Sequence, residues 1–343
     1  MKNLLIITQK VDERDQLLGF FIEWLRKFSE KFEKITVLCL ERGEFNLPGN
    51  VKVISLGKDE GASKIKQLAT FYFLLFALRK DYDSVFVHMN PIWVVLGGIS
   101  LRLMNKKIFF WYTHKAVTPK LRLAEKLSDT IFTASKESFR LPSKKVIVTG
   151  HGIDTGLFKP NFQFPISNFQ FKILSVGRIA LVKNYEVLID AARLLKSKGV
   201  DFSVTIAGEA ALESDKEYEK KIKLQVTSYK LQDQFNFVGK VNHKDLPVYY
   251  QSHDIFIHLS KTGSVDKVLL EAMACGIKVL SSNDSSRSFL PKELIFNEND
   301  PTQLAEKIEI SGKKQNTADL RDYVIHNHNL DNLINKISNI IRQ

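Results

Sequence analysis

Cysteine is scarce in this sequence, and no apolar run is long. Cys39 and Cys275 are the two cysteines, both in apolar surroundings, so a disulfide framework is not expected and a reducing cytoplasm fits the composition. The longest apolar runs, 68–78 and 92–104, fall short of the roughly 20 residues that a membrane-spanning helix needs. The apolar block at 4–7 is too short for the core of a signal peptide and predicts a first β-strand.

The length of 343 residues exceeds one typical core and predicts two domains of roughly 150 residues each. The formal charge of +12 is uneven, since residues 1–160 hold 26 Lys and Arg against 16 Asp and Glu, whereas residues 161–343 hold 24 against 22. The first half is therefore expected to face something anionic, such as a membrane surface, or to present a solvated basic face without a partner. Nucleic acid is not expected as a partner, because no binding motif accompanies the charge.

Predicted strands and helices alternate along almost the whole chain. The strands are predicted at residues 4–8, 35–40, 51–55, 84–88, 107–112, 130–134, 146–149, 171–176, 202–207, 235–238, 255–257, 278–281 and 294–296. The helices are predicted at residues 17–32, 63–79, 92–104, 121–127, 185–197, 216–229, 246–251, 266–275, 301–310 and 317–342. This alternation predicts parallel sheets with helices on both faces.

The pattern restarts after residues 160–169, an aperiodic stretch rich in proline and phenylalanine that predicts a connector between domains. We therefore expect an α/β protein with two Rossmann-like doubly wound domains, at 1–160 and 161–317. A C-terminal helix at 318–343 is expected to pack back on the first domain. Two such domains facing a central cleft would place the carboxyl ends of both sheets there, where ligands are expected.

Residues 255–280, IFIHLSKTGSVDKVLLEAMACGIKVL, predict a strand, a polar turn, a helix and a second strand. The helix is predicted to start at Asp266, a good N-cap residue, and to stop at Gly276. Backbone N–H groups and the positive end of the helix dipole at this turn suit a phosphate. Glu271, just over one turn into the helix, could accept hydrogen bonds from a ribose diol. The stretch predicts a sugar-nucleotide site, with an ordinary αβ unit as the alternative.

The start of the second domain carries a second candidate site. Residues 173–178, ILSVGR, run from a strand into a turn, and Gly177 allows close backbone approach there. Arg178 and Lys183 place two cations at the carboxyl end of this strand, where they suit a diphosphate. The alternative is a glycine turn with two exposed cations.

Several segments resemble one known family in order and spacing: VGRIALVKNYEVLIDAARLL (176–195), IAGEA (206–210), FVGKV (237–241), LLEAMACG (269–276), DTIFTASKES (129–138) and VIVTGHGIDTGLFKP (146–160). The first four are similar to the donor domain of the large retaining glycosyltransferase family with the GT-B fold (group 1, or family 4 type). The last two resemble the end of that family's first domain. The resemblance covers residues 80–343 closely and residues 1–80 in organisation only. It implies two Rossmann-like domains and a nucleoside diphosphate sugar as the donor.

The resemblance also implies roles for individual residues. Arg178 and Lys183 would hold the donor diphosphate and neutralise it as it leaves, and Glu271 would bind the ribose hydroxyls. His114 would line the cleft and contact the transferred sugar, although a lone histidine at a strand end often has a structural role. Turns and the helix start would provide the remaining donor contacts, at Gly177, Gly208, Glu209, Ser264, Asp266, Val268 and Leu269.

No metal or other cofactor is expected, because the two cations already stabilise the leaving group and the nucleotide sugar is itself a substrate. Asp81 and Asp83 have the spacing of a D-x-D metal motif. They precede a strand instead of following one, so a polar turn is predicted there.

One position departs from the family's pattern. The family carries a glutamate eight residues before Glu271, in E-G-F-G-x-x-x-x-E, and this chain has Gly263 there. That carboxylate normally touches the donor sugar, so its loss bears on sugar identity and on activity. Asp266 could restore a carboxylate, or it could be only the helix N-cap. The family's glycine-rich acceptor loop is replaced by residues 8–15, which would be consistent with an unusual acceptor.

Residues 63–80 combine aromatic side chains with basic ends: Phe71, Tyr72, Phe73, Phe76, Lys64, Lys66, Arg79 and Lys80. Such segments can lie at a membrane surface. The hypothesis is that the first domain docks on anionic lipid to reach a lipid-linked acceptor. The alternative is that residues 68–78 form a buried core helix.

Together these features predict a cytoplasmic enzyme, with peripheral association at the inner face of the membrane as a further hypothesis. It would transfer a hexosyl group from a nucleoside diphosphate sugar to a hydroxyl acceptor, on a glycan or a lipid-linked molecule, with retention of configuration. A nucleotide-sugar epimerase of the same fold is one alternative, although the acid and base carboxylates that it needs are not evident. A non-catalytic nucleotide-sugar-binding protein is the other, motivated by Gly263.

Overall fold

The computed structural model describes residues 2–15, 17–161, 171–311 and 317–343. The chain divides into two units, one made of Met1–Asp154 with His328–Gln343 and the other of Thr155–Asn327. The expected boundaries, at 160/161 and 317/318, lie near these divisions. Most of the predicted connector lies outside the described residues.

The strands are β1 (Leu4–Val11), β2 (Ile35–Arg42), β3 (Val51–Ser55), β4 (Ser84–His88), β5 (Lys107–Trp111), β6 (Thr130–Thr133), β7 (Val146–Val148), β8 (Phe171–Val176), β9 (Phe202–Ala207), β10 (Phe235–Gly239), β11 (Ile255–His258) and β12 (Lys278–Ser281). The helices are α1 (Phe21–Ser29), α2 (Lys64–Ala77), α3 (Pro91–Leu103), α4 (Pro119–Leu127), α5 (Tyr185–Ser197), α6 (Glu213–Ser228), α7 (Leu246–Ser252), α8 (Lys267–Ala274), α9 (Pro301–Ser311), α10 (Ala318–His328) and α11 (Leu330–Arg342). Among the described residues, no helix has both the length and the apolar character to cross a membrane.

The first unit is a parallel sheet of order β3-β2-β1-β4-β5-β6-β7 between two helical layers. Successive side chains of a strand point to opposite faces, so Leu4 and Ile6 enter the core beneath α1 and α11, whereas Leu5 and Ile7 enter the core beneath α2, α3 and α4. Burial on both faces explains the continuous apolar run of β1. The predicted α/β class is confirmed.

The second unit is a parallel sheet of order β10-β9-β8-β11-β12. Strand β8 is its first strand in the chain and lies between β9 and β11, so the strand order reverses beside it. In open parallel sheets ligands bind outside the carboxyl ends of the strands at such a reversal. Helix α5 begins and ends at the predicted residues, 185 and 197.

The predicted single helix at 317–342 is wrong, because α10 and α11 are separated at Asn329. Asn329 has an extended backbone (φ −62°, ψ 140°), and its side chain accepts a hydrogen bond from the Asn332 N–H at 3.0 Å. Ile153 holds the break from both sides, since its N–H donates to the His328 carbonyl and its carbonyl accepts from the Leu330 N–H. The C-terminal helix of the first unit is therefore α11.

Beyond shifts of up to three residues at the ends of other elements, two further elements differ from the prediction. The predicted helix at 17–32 is shorter and spans Phe21–Ser29. The predicted strand at 294–296 is wrong, because Lys292–Leu294 is a 3-10 helix and Ile295 forms an isolated bridge to Ser281.

Candidate active site

Three loops follow neighbouring strands at the carboxyl edge of the second sheet. Gly177 and Arg178 follow β8, Gly208 and Glu209 follow β9, and the turn before α8 follows β11. The first two of these loops are joined by backbone hydrogen bonds, since the Gly177 N–H donates to the Ala207 carbonyl and the Ile179 N–H donates to the Glu209 carbonyl. The sheet therefore brings the sequence-predicted residues of the second unit to one edge.

Lys183 and Asp266 form an ion pair across this edge. The Lys183 ammonium donates to Asp266 Oδ2 at 2.7 Å, and each side chain is 17% exposed. The same carboxylate oxygen lies 3.1 Å from His258 Nε2, and its other oxygen accepts from the Thr262 hydroxyl at 3.0 Å. Asp266 occupies the N-cap position of α8 but makes no side-chain capping bond. Its carboxylate is therefore committed to Lys183, His258 and Thr262.

The network fixes the protonation of its members. Burial alone would raise the pKa of Asp266, but the Lys183 ammonium and the hydrogen bond from His258 hold that pKa well below its usual range. Burial lowers the pKa of His258, and Asp266 only partly offsets this. An ionised carboxylate can only accept, so the neutral imidazole donates from Nε2 and accepts at Nδ1 from the Ser281 hydroxyl at 3.1 Å.

Gly263 adopts a backbone conformation that glutamate would not adopt easily. Its φ is +64°, in the left-handed region that non-glycine residues rarely occupy. On either side of it, the Ser264 carbonyl accepts from the Thr262 hydroxyl at 3.2 Å and from the Asn283 amide at 3.2 Å. The position at which the chain lacks the family's glutamate therefore lies in a turn whose backbone conformation favours glycine.

Gly177 allows Lys183 to approach the backbone. A Cβ atom at Gly177, whose φ is +144°, would lie 3.2 Å from Lys183 Cε and 3.5 Å from its Nζ. The Gly177 carbonyl accepts from the buried Tyr185 hydroxyl at 3.1 Å, which ties the turn to α5. Arg178 lies 3.5 Å from Asp215, measured from Nε to Oδ2, and keeps 30% exposure. Both predicted cations are thus paired with carboxylates of their own unit.

Glu271 is only 3% exposed and joins two other elements. Its Oε1 lies 2.9 Å from His243 Nε2, and its Oε2 accepts from the Tyr250 hydroxyl at 3.3 Å. Burial, together with the Glu271 charge, raises the pKa of Tyr250, so the phenol stays a donor. Each carboxylate oxygen has a second lone pair, so the group could still accept a further hydrogen bond.

Lys267 is the first residue of α8 and lies one turn before Glu271. Burial lowers the pKa of Lys267 from 10.5 to about 7, and the Glu271 carboxylate opposes this change. A lysine near neutrality can hold or release its proton at physiological pH. The position falls within the stretch that the sequence singled out, but the residue itself was not predicted.

The remaining predicted donor contacts lie in the same region. Ser264 and Val268 are half-buried, Leu269 is buried, and Glu209 is exposed. The Leu269 N–H donates to the Asp266 carbonyl at 3.2 Å, and the Gly208 N–H donates to the Gly239 carbonyl at 2.8 Å. These two N–H groups are already engaged in this structure.

His114 lies in the first unit, after the carboxyl end of β5. Its ring is exposed, and its Nδ1 accepts from the Ala116 N–H at 3.1 Å. The Tyr112 ring packs edge-on at 6.4 Å between centroids. His114 therefore belongs to a different unit from the network around Asp266.

Sequence reasoning missed His258, His243 and Tyr250. His258 is the last residue of an otherwise apolar buried strand, and a polar residue at that position was an available signal. His243 and Tyr250 approach Glu271 from residues 28 and 21 positions earlier in the chain, and no local pattern links such distant partners.

The model of the family described as glycosyl transferases group 1 matches residues 160–331, half of the chain. The chain therefore belongs to this family, and its two Rossmann-like units have the GT-B fold.

Two curated relatives illustrate the similarity. The chain is 31% identical over 150 residues to the amylovoran biosynthesis glycosyltransferase AmsK of Erwinia amylovora, covering 42% of this chain and 35% of the relative. It is 26% identical over 266 residues to an uncharacterized glycosyltransferase of Haemophilus influenzae, covering 69% of this chain and 72% of the relative. The match thus spans about a third of the first relative's length.

A solved structure matches over the full length of both chains. The structure of Anabaena HepE in complex with UDP and glucose superposes with a TM-score of 0.79 at 15% identity, covering 100% of each chain. At this identity the likeness concerns the fold.

Proposed function

We propose that the protein is a glycosyltransferase that moves a hexosyl group from a nucleoside diphosphate sugar to a hydroxyl acceptor, with retention of anomeric configuration. Membership of the glycosyl transferases group 1 family supports the activity. The observation that carries the proposal is the placement of Lys183, Arg178 and the start of α8 at one edge of the second sheet. Such an arrangement suits a diphosphate.

In the proposed reaction the bond between the anomeric carbon and the β-phosphate oxygen breaks, and the acceptor oxygen bonds to that carbon on the same face. The acceptor proton leaves late and passes to the departing diphosphate. Lys183, Arg178 and the helix start would stabilise the negative charge that develops there. No covalent enzyme intermediate is required.

Asp266 would position Lys183 in this scheme. Without donor, the Lys183 ammonium is neutralised by Asp266 at 2.7 Å, and the diphosphate would have to share or displace this partner. Because the carboxylate is also bound by His258 and Thr262, it would remain ordered when Lys183 turns to the donor. The family's first glutamate is absent, so the transferred sugar would be recognised by other groups, and Asp266 is one candidate.

A thermal-shift screen with UDP, GDP, ADP and their sugar conjugates would test the donor. UDP is the first probe because HepE was crystallised with it. Binding to the native state raises the unfolding temperature as the ligand saturates the site. We expect one nucleotide to raise it, and Glu271→Ala to abolish the effect.

Controls separate donor binding from folding. Glu271→Gln keeps a side chain that His243 and Tyr250 can contact and should fold if Glu271→Ala does not. Glu309→Ala removes a carboxylate of the same unit that pairs with Lys198, and it should leave the nucleotide shift unchanged. A shift that survives in Glu271→Gln would remove Glu271 from the ribose site, and no shift for any nucleotide would contradict the proposal.

A second candidate function is nucleotide-sugar binding without catalysis, favoured by Gly263 alone. Incubation with the identified nucleotide sugar and candidate acceptors, followed by NMR of the anomeric proton, would separate the two. Retention requires that the product keeps the configuration of the donor. Tight binding of the donor without turnover on any acceptor would favour the second candidate.

A further inference from the structure

The outer surface of the α2 and α3 layer exposes bulky apolar side chains. Six of them belong to these two helices: Ile65, Leu68, Phe73, Phe76, Ile99 and Leu103. Phe73 is 70% exposed and Leu103 is 81% exposed. We call this set the apolar face. Several bulky apolar side chains exposed on two neighbouring helices are characteristic of interaction sites on soluble domains.

The inner surfaces of the same helices already fill the core. Phe71 and Leu75 of α2 are fully buried, and the Phe71 ring packs on Trp93 of α3 with centroids 5.0 Å apart. The Tyr72 hydroxyl donates to the Leu96 carbonyl at 2.9 Å, which joins the two helices. The alternative that residues 68–78 are simply a buried helix therefore describes one side of α2 only. The apolar face is not required for packing against the sheet.

On the opposite layer of the same sheet, the described residues of α1 and α11 include no exposed bulky apolar side chain. Helices α1 and α11 bury their apolar sides and present polar residues outward, as a surface helix usually does. In the second unit the exposed apolar residues Leu224, Val248 and Ile310 lie on three different helices, and Leu181 and Leu212 lie before α5 and α6. Apolar exposure is thus concentrated on one surface of the first unit.

Positive charge is concentrated in the segment of the chain that contains these helices. Residues 64–127, from the start of α2 to the end of α4, hold eleven Lys and Arg against three Asp and Glu, a net of +8 out of the +12 of the chain. Lys64 and Lys66 lie at the start of α2, Lys80 follows its end, and all three are exposed. Among the described residues these three lysines form no ion pair. They are available to a partner.

We propose that this layer docks on an anionic lipid bilayer, with the apolar face in the interface and the flanking cations on lipid phosphates. Helices that lie in a membrane interface combine an apolar side with Lys and Arg beside it, and anionic lipid adds attraction for each cation. A second copy of the chain fits less well, because a two-fold symmetric contact would bring one cationic layer against another. The proposal does not depend on the proposed catalytic activity.

Co-sedimentation of the full chain with vesicles would test this docking. One set of vesicles contains phosphatidylcholine alone and the other contains phosphatidylcholine mixed with phosphatidylglycerol. We expect binding to the mixed vesicles, little to the neutral ones, and a loss of binding as salt is added. Equal binding to both vesicle types, or no binding to either, would overturn the proposal.

Two double variants, each with a matched control in the second unit, test which residues bind the vesicles. Phe73→Ser with Phe76→Ser should weaken binding more than about tenfold, whereas the matched pair Leu224→Ser with Val248→Ser in the second unit should have no effect. Lys64→Gln with Lys66→Gln should weaken binding to mixed vesicles on the order of tenfold, whereas Lys216→Gln with Lys220→Gln should not. Unchanged binding in both first-unit variants would overturn the assignment.

Light scattering after gel filtration tests whether a second copy of the chain, instead of lipid, covers the apolar face. We expect the same mass for the wild-type chain and for Phe73→Ser with Phe76→Ser. A wild-type dimer that this variant dissociates would overturn the proposal. The thermal shift with nucleotide, measured on the same variants, reports the proposed function separately, because it should persist when vesicle binding is lost.

Discussion

The two units share a parallel α/β architecture but treat positive charge in opposite ways. In the second unit Lys183 and Arg178 face carboxylates at a sheet edge. In the first unit Lys64, Lys66 and Lys80 are exposed beside apolar side chains. We propose that the cations held by carboxylates at strand ends serve a small-molecule site. We propose that the three lysines, which form no ion pair within the described part of the chain, serve a surface for a larger partner. Charge alone, counted along the sequence, would not separate these two uses.

The largest expected effect comes from substituting one residue on each side of α2 and comparing the free energies of unfolding. Phe71→Ala should lower the free energy of unfolding by about 3–5 kcal/mol, because it empties a buried site against Trp93. Phe73→Ala should change it by less than about 0.5 kcal/mol, because the ring is exposed. Urea denaturation of both variants measures the difference. Equal losses would mean that the outer side is covered in solution.

Removing Lys183, the cation that pairs with Asp266, should have the next largest effect. Lys183→Ala should lower the rate of sugar transfer by about 10²–10³, as expected when a group that stabilises developing charge is lost. Lys198→Ala is the control, because Lys198 belongs to the same unit and pairs with Glu309 at 2.8 Å. Initial rates under saturating acceptor measure both variants. A similar loss of rate in both variants would show that the loss of any one positive charge of the unit has this effect, and that the position of Lys183 is not important.

Asp266→Asn tests whether the paired carboxylate supports the fold. The pKa of Asp266 is below its ordinary value in the folded chain, so its contribution to stability is present above about pH 4 and is lost as pH falls through the folded pKa. At pH 7 the variant should be less stable by about 1–3 kcal/mol, because it leaves the Lys183 ammonium without its charged partner.

Below pH 4 this difference should shrink, since the Asp266 carboxylate of the unfolded wild-type chain then takes up a proton while that of the folded chain stays ionised. Urea denaturation between pH 3 and pH 7 follows both chains. A constant difference across this range would contradict the depressed pKa.

Lys267 should change the stability in a higher pH window than Asp266, with the same sign of pH dependence. Its pKa in the folded chain is about 7 against the ordinary 10.5, so between these values the unfolded chain binds a proton that the folded chain has released. The free energy of unfolding should therefore rise with pH in this window, by at most about 1.4 kcal/mol per pH unit. Lys267→Met should flatten the rise. An unchanged slope in the variant would assign it to other groups.

Much of the fold could be predicted from the sequence, because buried parallel strands are continuous apolar runs and helices are bounded by capping residues. The limits of α5 and of β12 were predicted to the residue. The break at Asn329 was not, because an asparagine within an amphipathic pattern is also compatible with a continuous helix. Its role as a cap depends on Ile153, far away in the sequence.

The sequence motifs single out residues at this sheet edge, but they do not predict the network that joins them. The motifs place Lys183 and Asp266 in separate stretches, and their ion pair joins residues 83 positions apart. The involvement of His258 and the conformation of Gly263 follow from how the turn packs. The exposure of Phe73 could not be predicted either. Phe71 and Phe73 are two positions apart in an aromatic-rich segment, yet Phe71 is fully buried and Phe73 is 70% exposed.

The participation of α11 in the first unit has a consequence for biosynthesis. The core beneath α1 contains Leu333 and Ile337, which the ribosome makes after the whole of the second unit. The second unit is one continuous segment, Thr155–Asn327. The first unit is begun first but cannot complete its core before the whole of the second unit has been made. Until α11 has been synthesised, Trp24 and Phe28 lack part of the packing that buries them. The nascent first unit is therefore the part of the chain that needs protection from aggregation.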